Sequence, residues 1–139
     1  MSSAVEAELP AKADVKGGMV AYLNVDGALA AAEFYQKAFG ATVVARNPPD
    51  AQGRTMHVHL HVNGSSLMLS DFFPEHGHAK VAPQGFSLVL MVSDIEAAFR
   101  RAVDAGAEAV TQPQKMFWGD HFAALRDPFG VAWGMNQPG

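Results

Sequence analysis

Three histidines, His57, His59 and His61, alternate along one short stretch, and the two-residue period of a strand puts their rings on a single face. The intervening Met56, Val58, Leu60 and Val62 make the opposite face apolar. If the apolar face packs on a helix, the imidazoles open onto a cleft where a metal, an anion or an oxyanion can meet them. The alternative is a half-exposed strand whose polar positions happen to be histidine. A second group, Trp118-Gly119-Asp120-His121, sets an acid and an imidazole beside an aromatic wall, the ingredients of general acid/base chemistry. Gly119-Asp120 also suits a turn or bulge, with Trp118 merely packing. His59, Asp120 and His121 are therefore the candidate catalytic residues. Tyr22 and Asn24 share strand parity and would face the same cleft as Met68, Ser87, Val89 and Met91. The candidate ligand contacts are Tyr22, Asn24, His57, His61, Met68, Ser87 and Trp118. A cleft of this composition suits a small, partly apolar ligand, although the same side chains can fill space with no ligand at all. Asp71 reads as the start of a loop, and His76 and His78 as solvated loop residues.

The elements that must position these residues come in two similar sets. Val25-Asp26-Gly27 opens an Ala-rich amphipathic segment closed by Gly40-Ala41-Thr42-Val43-Val44, and Val92-Ser93-Asp94 opens another closed by Gly106-Ala107-Glu108-Ala109-Val110. Each reads as strand, helix, strand. Ala28, Ala31, Phe34, Tyr35 and Ala38 recur at helical spacing behind Asp26, the expected cap; Ile95, Ala98, Phe99, Ala102 and Val103 do so behind a Ser93–Glu96 capping box. Further strands are expected at 19–24, 42–46, 55–62, 65–70, 86–92, 109–111, 122–126 and 131–136. Asn63-Gly64 signals a type I′ hairpin, and Asp127-Pro128-Phe129-Gly130 fits a type I turn. The fold expected is α+β: two tandem βαβββ modules, about 18–71 and 85–137, forming a curved, partly closed mixed sheet with helices on the outer face. Residues 1–17 read as a leader that docks on a neighbour, and 18–139 as a single domain.

Bulk properties narrow the partners. At 139 residues the chain is long enough to bury its own core. A net charge of −4, with Lys and Arg scattered, leaves no footprint for nucleic acid. No apolar run is long enough to span a membrane, and without a basic, then apolar, N-terminal signal the expected residence is cytoplasmic. The absence of cysteine removes disulfides, thiolate metal sites and a cysteine nucleophile.

The architecture, Phe34-Tyr35 on the first helix, the Gly40-Ala41 stop and the Asp127-Pro128-Phe129-Gly130 turn resemble the vicinal oxygen chelate superfamily over residues 19–137. That superfamily includes glyoxalase I, extradiol dioxygenases and bleomycin-resistance proteins. The run Phe117-Trp118-Gly119-Asp120, closing with Trp133, is similar to the PhnB-like branch. The resemblance implies four metal ligands on the first, fourth, fifth and eighth strands, at about Val20, Met68, Ser87 and Gly134 in this chain. These are poor donors for a divalent ion, so no cofactor is expected. The methyltransferase label attached to that branch finds no Gly-rich nucleotide loop here. The resemblance also implies a homodimer.

Two functions follow as expectations. One is an enzyme that has moved or lost its metal and performs proton-transfer, isomerase or lyase chemistry on a small oxygenated metabolite. The other is a binding protein of the bleomycin-resistance type that sequesters its ligand without converging acid/base groups.

Overall fold

The computed structural model describes residues 9–77 and 79–139; residues 1–8 of the leader and His78 lie outside them. The chain divides into two compact units, one running through Gln36 and resuming at Gly40–Val81, the other made of Lys37–Phe39 and Ala82–Gly139. No helix among the described residues is long and apolar enough to cross a membrane.

The first unit carries β1 (Ala21–Val25), α1 (Ala28–Phe39, its last three residues counted with the second unit), β2 (Thr42–Arg46), β3 (Val58–Val62) and β4 (Ser65–Asp71). Its sheet runs β1-β4-β3-β2, with β1 and β4 parallel and the other pairs antiparallel. Register aligns Leu23 with Leu69, Leu69 with Val58, and Leu67 with Leu60. That row forms a buried face together with Val25, Val43 and Val62, and Ala28, Ala31, Ala32 and Tyr35 of α1 are buried as well. Asn63 and Gly64 both take positive φ, 54° and 81°, as the type I′ hairpin requires.

The second unit repeats the order with β5 (Leu88–Met91), α2 (Ile95–Ala105), β6 (Glu108–Lys115), β7 (His121–Arg126) and β8 (Ala132–Gln137), its sheet running β5-β8-β7-β6. Here α2 packs on β6, β7 and β8 through Ile95, Phe99 and Ala102. The turn before β8 is held by Asp127: one carboxylate oxygen accepts from the amides of Phe129 and Val131, the other from Trp133 Nε1, each at 2.9 Å.

Two βαβββ modules are present, but their strands bond within two separate four-stranded sheets and neither sheet is closed. The helix caps also differ from expectation. Asp26 instead pairs with Lys80 at 3.0 Å on the surface, while Gly27 is the cap residue of α1 at φ 105°. The first amides of α1 are satisfied from another element: Asp71 accepts from Gly27 N at 2.7 Å and Ala28 N at 3.0 Å. Its other oxygen accepts from Thr55 N at 2.8 Å, so Asp71 is a buried junction rather than a loop start. In α2 the cap is Asp94, bonded to Ala97 N, rather than Ser93, and Gln137 supplies a second acceptor to Ile95 N. Strand β3 starts at Val58 because Thr55 is drawn off, its amide to Asp71 and its hydroxyl to Asn47 O. Strand β6 runs through Pro113, which an edge strand tolerates because no partner on that side needs its missing N–H.

Candidate functional site

In the first unit, register places Tyr22 beside Met68 and Met68 beside His59 on the face turned away from the buried leucines. Asn24 lies on the same side of β1, opposite Ser70. The imidazoles of His57, His59 and His61 form a ladder, with ring centroids 6.4 Å and 5.1 Å apart. Their surroundings are not alike. His57, just ahead of β3, is partly exposed, its Nδ1 lying 3.2 Å from the hydroxyl of Tyr22, which also reaches Met56 O at 3.1 Å. Tyr22 is 49% exposed, and partial burial raises its pKa, so the phenol stays a neutral donor at physiological pH.

His59 is closed off, at 2% exposure. Its Nε2 lies 2.7 Å from Ser66 Oγ, and burial, followed by repulsion from His61 and His57, lowers its pKa from the usual 6.5. The third ring, His61, meets Asp14 O at 2.8 Å; a carbonyl can only accept, so Nε2 of His61 carries the proton.

The described part of the leader holds this face. Arg46 N donates to Pro10 O at 3.0 Å on the outer side of β2, His61 donates to Asp14 O, and Lys16 exchanges bonds with Ser66 through N to Oγ at 2.8 Å and Ser66 N to Lys16 O at 2.9 Å. The segment thus crosses from the edge strand β2 to β4, past β3, over the histidine side of its own unit. The sequence reading has the leader docking on a neighbour; its described residues 10–16 dock on their own unit instead, and Ser66 carries no sequence signal of its part in this. Hairpin arithmetic places Ser66 only opposite His61, across the two-residue turn at 63–64; the leader carries no periodicity to betray its path.

The remaining candidates belong to the second unit. Met116–Gly119 forms a tight turn at the entry to β7, with Gly119 at φ 102°. It carries Phe117 and Trp118, whose rings meet edge to face at 4.9 Å and are 96% and 50% exposed. Asp120 accepts from Asn136 Nδ2 and from Gly139 N, each at 3.0 Å; the Asn136 bond first, then the Gly139 bond, hold its carboxyl below the usual range. That is the opposite of what a proton acceptor at neutral pH needs. His121 Nδ1 is buried with no hydrogen-bond partner among the described residues. Ser87 is exposed just ahead of β5, and Val89 and Met91 are 48% and 52% exposed.

The donor set for the inherited metal does not fit. Val20, Met68 and Gly134 offer no hard donor, and at Gly134 an added Cβ would stand 2.9 Å from Phe122 Cζ, so a ligating side chain has no room there. Among the described residues no group of three or more His, Cys, Asp or Glu is placed to hold an ion.

The sequence model of the Glyoxalase/Bleomycin resistance protein/Dioxygenase superfamily matches residues 18–135. An uncharacterised protein of Mycobacterium bovis is 37% identical over 132 residues, covering 90% of this chain and 86% of its own. Among solved structures, TnmS3, an antibiotic binding protein from Streptomyces sp. CB03234, superposes with a TM-score of 0.64 at 27% identity, covering 93% of this chain and 98% of its own. The PhnB protein of Bacillus cereus shares the fold with a TM-score of 0.67 at 18% identity, covering 87% and 99%.

Proposed function

This chain belongs to the glyoxalase/bleomycin resistance protein/dioxygenase superfamily, and we propose that within it the chain sequesters a small, partly apolar molecule rather than transforming one. The observation that carries this reading is that most of its candidate acid and base groups are already committed. Asp120 is pinned by Asn136 and Gly139, His59 is closed against Ser66, and His61 is bonded to the leader carbonyl. What is left open is contact surface. Tyr22, His57 and Met68 form a hydrogen-bonding and partly apolar strip in the first unit, and Trp118 and Met91 are half exposed in the second. Such groups orient and cover a ligand. The neighbouring antibiotic binding protein supports the same reading by analogy of fold.

The competing reading is a proton-transfer enzyme, and it draws on His121, whose buried Nδ1 has no partner among the described residues. Both readings take a homodimer and cytoplasmic residence as part of the proposal; the support for pairing is that each sheet ends in edge strands.

The binding reading is tested by calorimetric titration of the full chain with bleomycin and a panel of aromatic antibiotics. We expect a saturable complex with at least one of them. Tyr22→Phe should weaken it by the worth of one hydrogen bond, about 0.5–1.5 kcal/mol, and His57→Ala, beside it in the same unit, should weaken it further. Failure of the whole panel to bind, or indifference of every binder to both substitutions, contradicts the reading.

A further inference from the structure

A pocket of about 440 Å³ opens in the first unit, within the volume range of small-molecule sites. Pro48, Met56 and Phe73 form its apolar side, and Asn47, Asp50, Arg54, Glu75 and His76 its polar side. The polar side is unusually well braced. Arg54 Nε donates to Asp50 Oδ2 at 3.0 Å, and its two terminal nitrogens donate to the two oxygens of Glu75 at 3.1 Å and 2.7 Å. Phe73 covers one face of the guanidinium at 4.4 Å. Asp50 is fixed in turn, its other oxygen accepting from the amides of Gln52 and Arg54 at 2.9 Å each.

The guanidinium is therefore engaged on both edges and one face, which leaves it a poor receptor for an anion. One cation against two carboxylates leaves the triad with a formal charge of −1. Bonds from Arg54, to Asp50 through its backbone and to Glu75 through its side chain, hold both carboxyls below the usual range, so this charge persists across the physiological pH range. Each Glu75 oxygen accepts one bond from Arg54, and the carboxylate, which its own backbone amide also reaches, is half exposed, so it keeps lone-pair capacity for a further donor. Met56 is 54% exposed and offers a soft, polarisable wall.

We propose that this pocket binds a small organic cation with a flat apolar body, its protonated amine or quaternary ammonium set against Glu75 and its body laid on Met56, Phe73 and Pro48. Charge selects the ligand, and the apolar wall sets its shape. The proposal uses neither the histidine face nor Trp118 and stands whether or not those take a ligand.

The test is a fluorescence titration of the full chain with berberine, a flat quaternary cation, and with anilinonaphthalene sulfonate as the anionic counterpart. Wild type should bind berberine saturably, one per chain, and more weakly as salt is raised. Met56→Lys, at an exposed position that should leave folding intact, adds a positive charge to the pocket and should weaken berberine by about tenfold or more. Glu75→Gln should weaken berberine as well and, by freeing an edge of the Arg54 guanidinium, should improve binding of the sulfonate. Absence of saturable berberine binding to the wild type, or affinities unchanged in both variants, overturns the proposal.

Discussion

The two modules share a topology and differ in where they place charge. In the first, the helix N-terminus rests on a buried carboxylate, Asp71, which also gathers the chain ahead of β3; in the second, the corresponding strand end offers the neutral amide of Gln137, and the cap is local, from Asp94. The same contrast holds on the sides of the sheets away from their buried cores. The first unit carries three imidazoles and a phenol, crossed by residues 10–16, whereas the second leaves Val89 and Met91 half exposed. The scaffold is repeated, while the helix starts and the faces away from the cores are furnished differently in the two copies. A shared strand order does not make equivalent positions do equivalent work.

The contrast is sharpest at the two helix starts. Asp71→Ala strands three amide donors, two of them at a helix N-terminus, and should cost on the order of 3–5 kcal/mol. Gln137→Ala removes a single neutral bond and should cost about 1 kcal/mol. Urea unfolding of the two variants compares them directly, and equal losses would erase the asymmetry.

Removal of residues 1–16 should have an intermediate effect, on the order of 1–2 kcal/mol for the few hydrogen bonds lost. Amide exchange at Ser66, whose N–H is bonded to Lys16 O, should accelerate in the truncated chain. Unchanged protection there would mean that the leader does not hold this face in solution.

Acid titration should reveal a smaller effect from His59. Its pKa is depressed on folding, so the unfolded chain binds the proton first; the stability this represents is present above pH 6.5 and is lost as pH falls through the folded value. His59→Gln, which cannot titrate, should show a shallower loss of stability below pH 6.5 than wild type. Parallel pH profiles would contradict the burial of that ring.

The smallest effect is expected from Asp120. Its depressed carboxyl contributes stability above the usual value of 3.8, lost as pH falls through the folded value, so Asp120→Asn should flatten the profile only in that acid range. A large change near neutrality would point instead to a proton-exchanging role.

Much of the scaffold was legible because periodicity and turn chemistry are local. Asn63-Gly64, Gly40, Gly106 and the Asp127 turn punctuate the chain where their backbone angles are needed, and strand parity put His57, His59 and His61 on one side with Tyr22 and Met68. What parity cannot show is what covers a face. The segment 10–16 lies next to β3 only after the chain has folded back, and Asp71 reaches Gly27 across 44 residues. The cap at Asp94 rather than Ser93 was a local ambiguity between adjacent residues that both accept well. The division into two four-stranded sheets depended on which edges bond to which, and side-chain pattern carries no record of that.

Mass balance separates a chain that holds its ligand unchanged from one that transforms it. The full chain would be incubated with a compound shown by calorimetry to bind, in large excess over protein, and the mixture resolved by mass spectrometry beside samples of His121→Gln and of protein-free buffer. One bound molecule per site is expected in both protein samples, with quantitative recovery of the compound at its original mass in all three. A product that forms with wild type, exceeds the protein in amount and disappears in His121→Gln would contradict the binding reading.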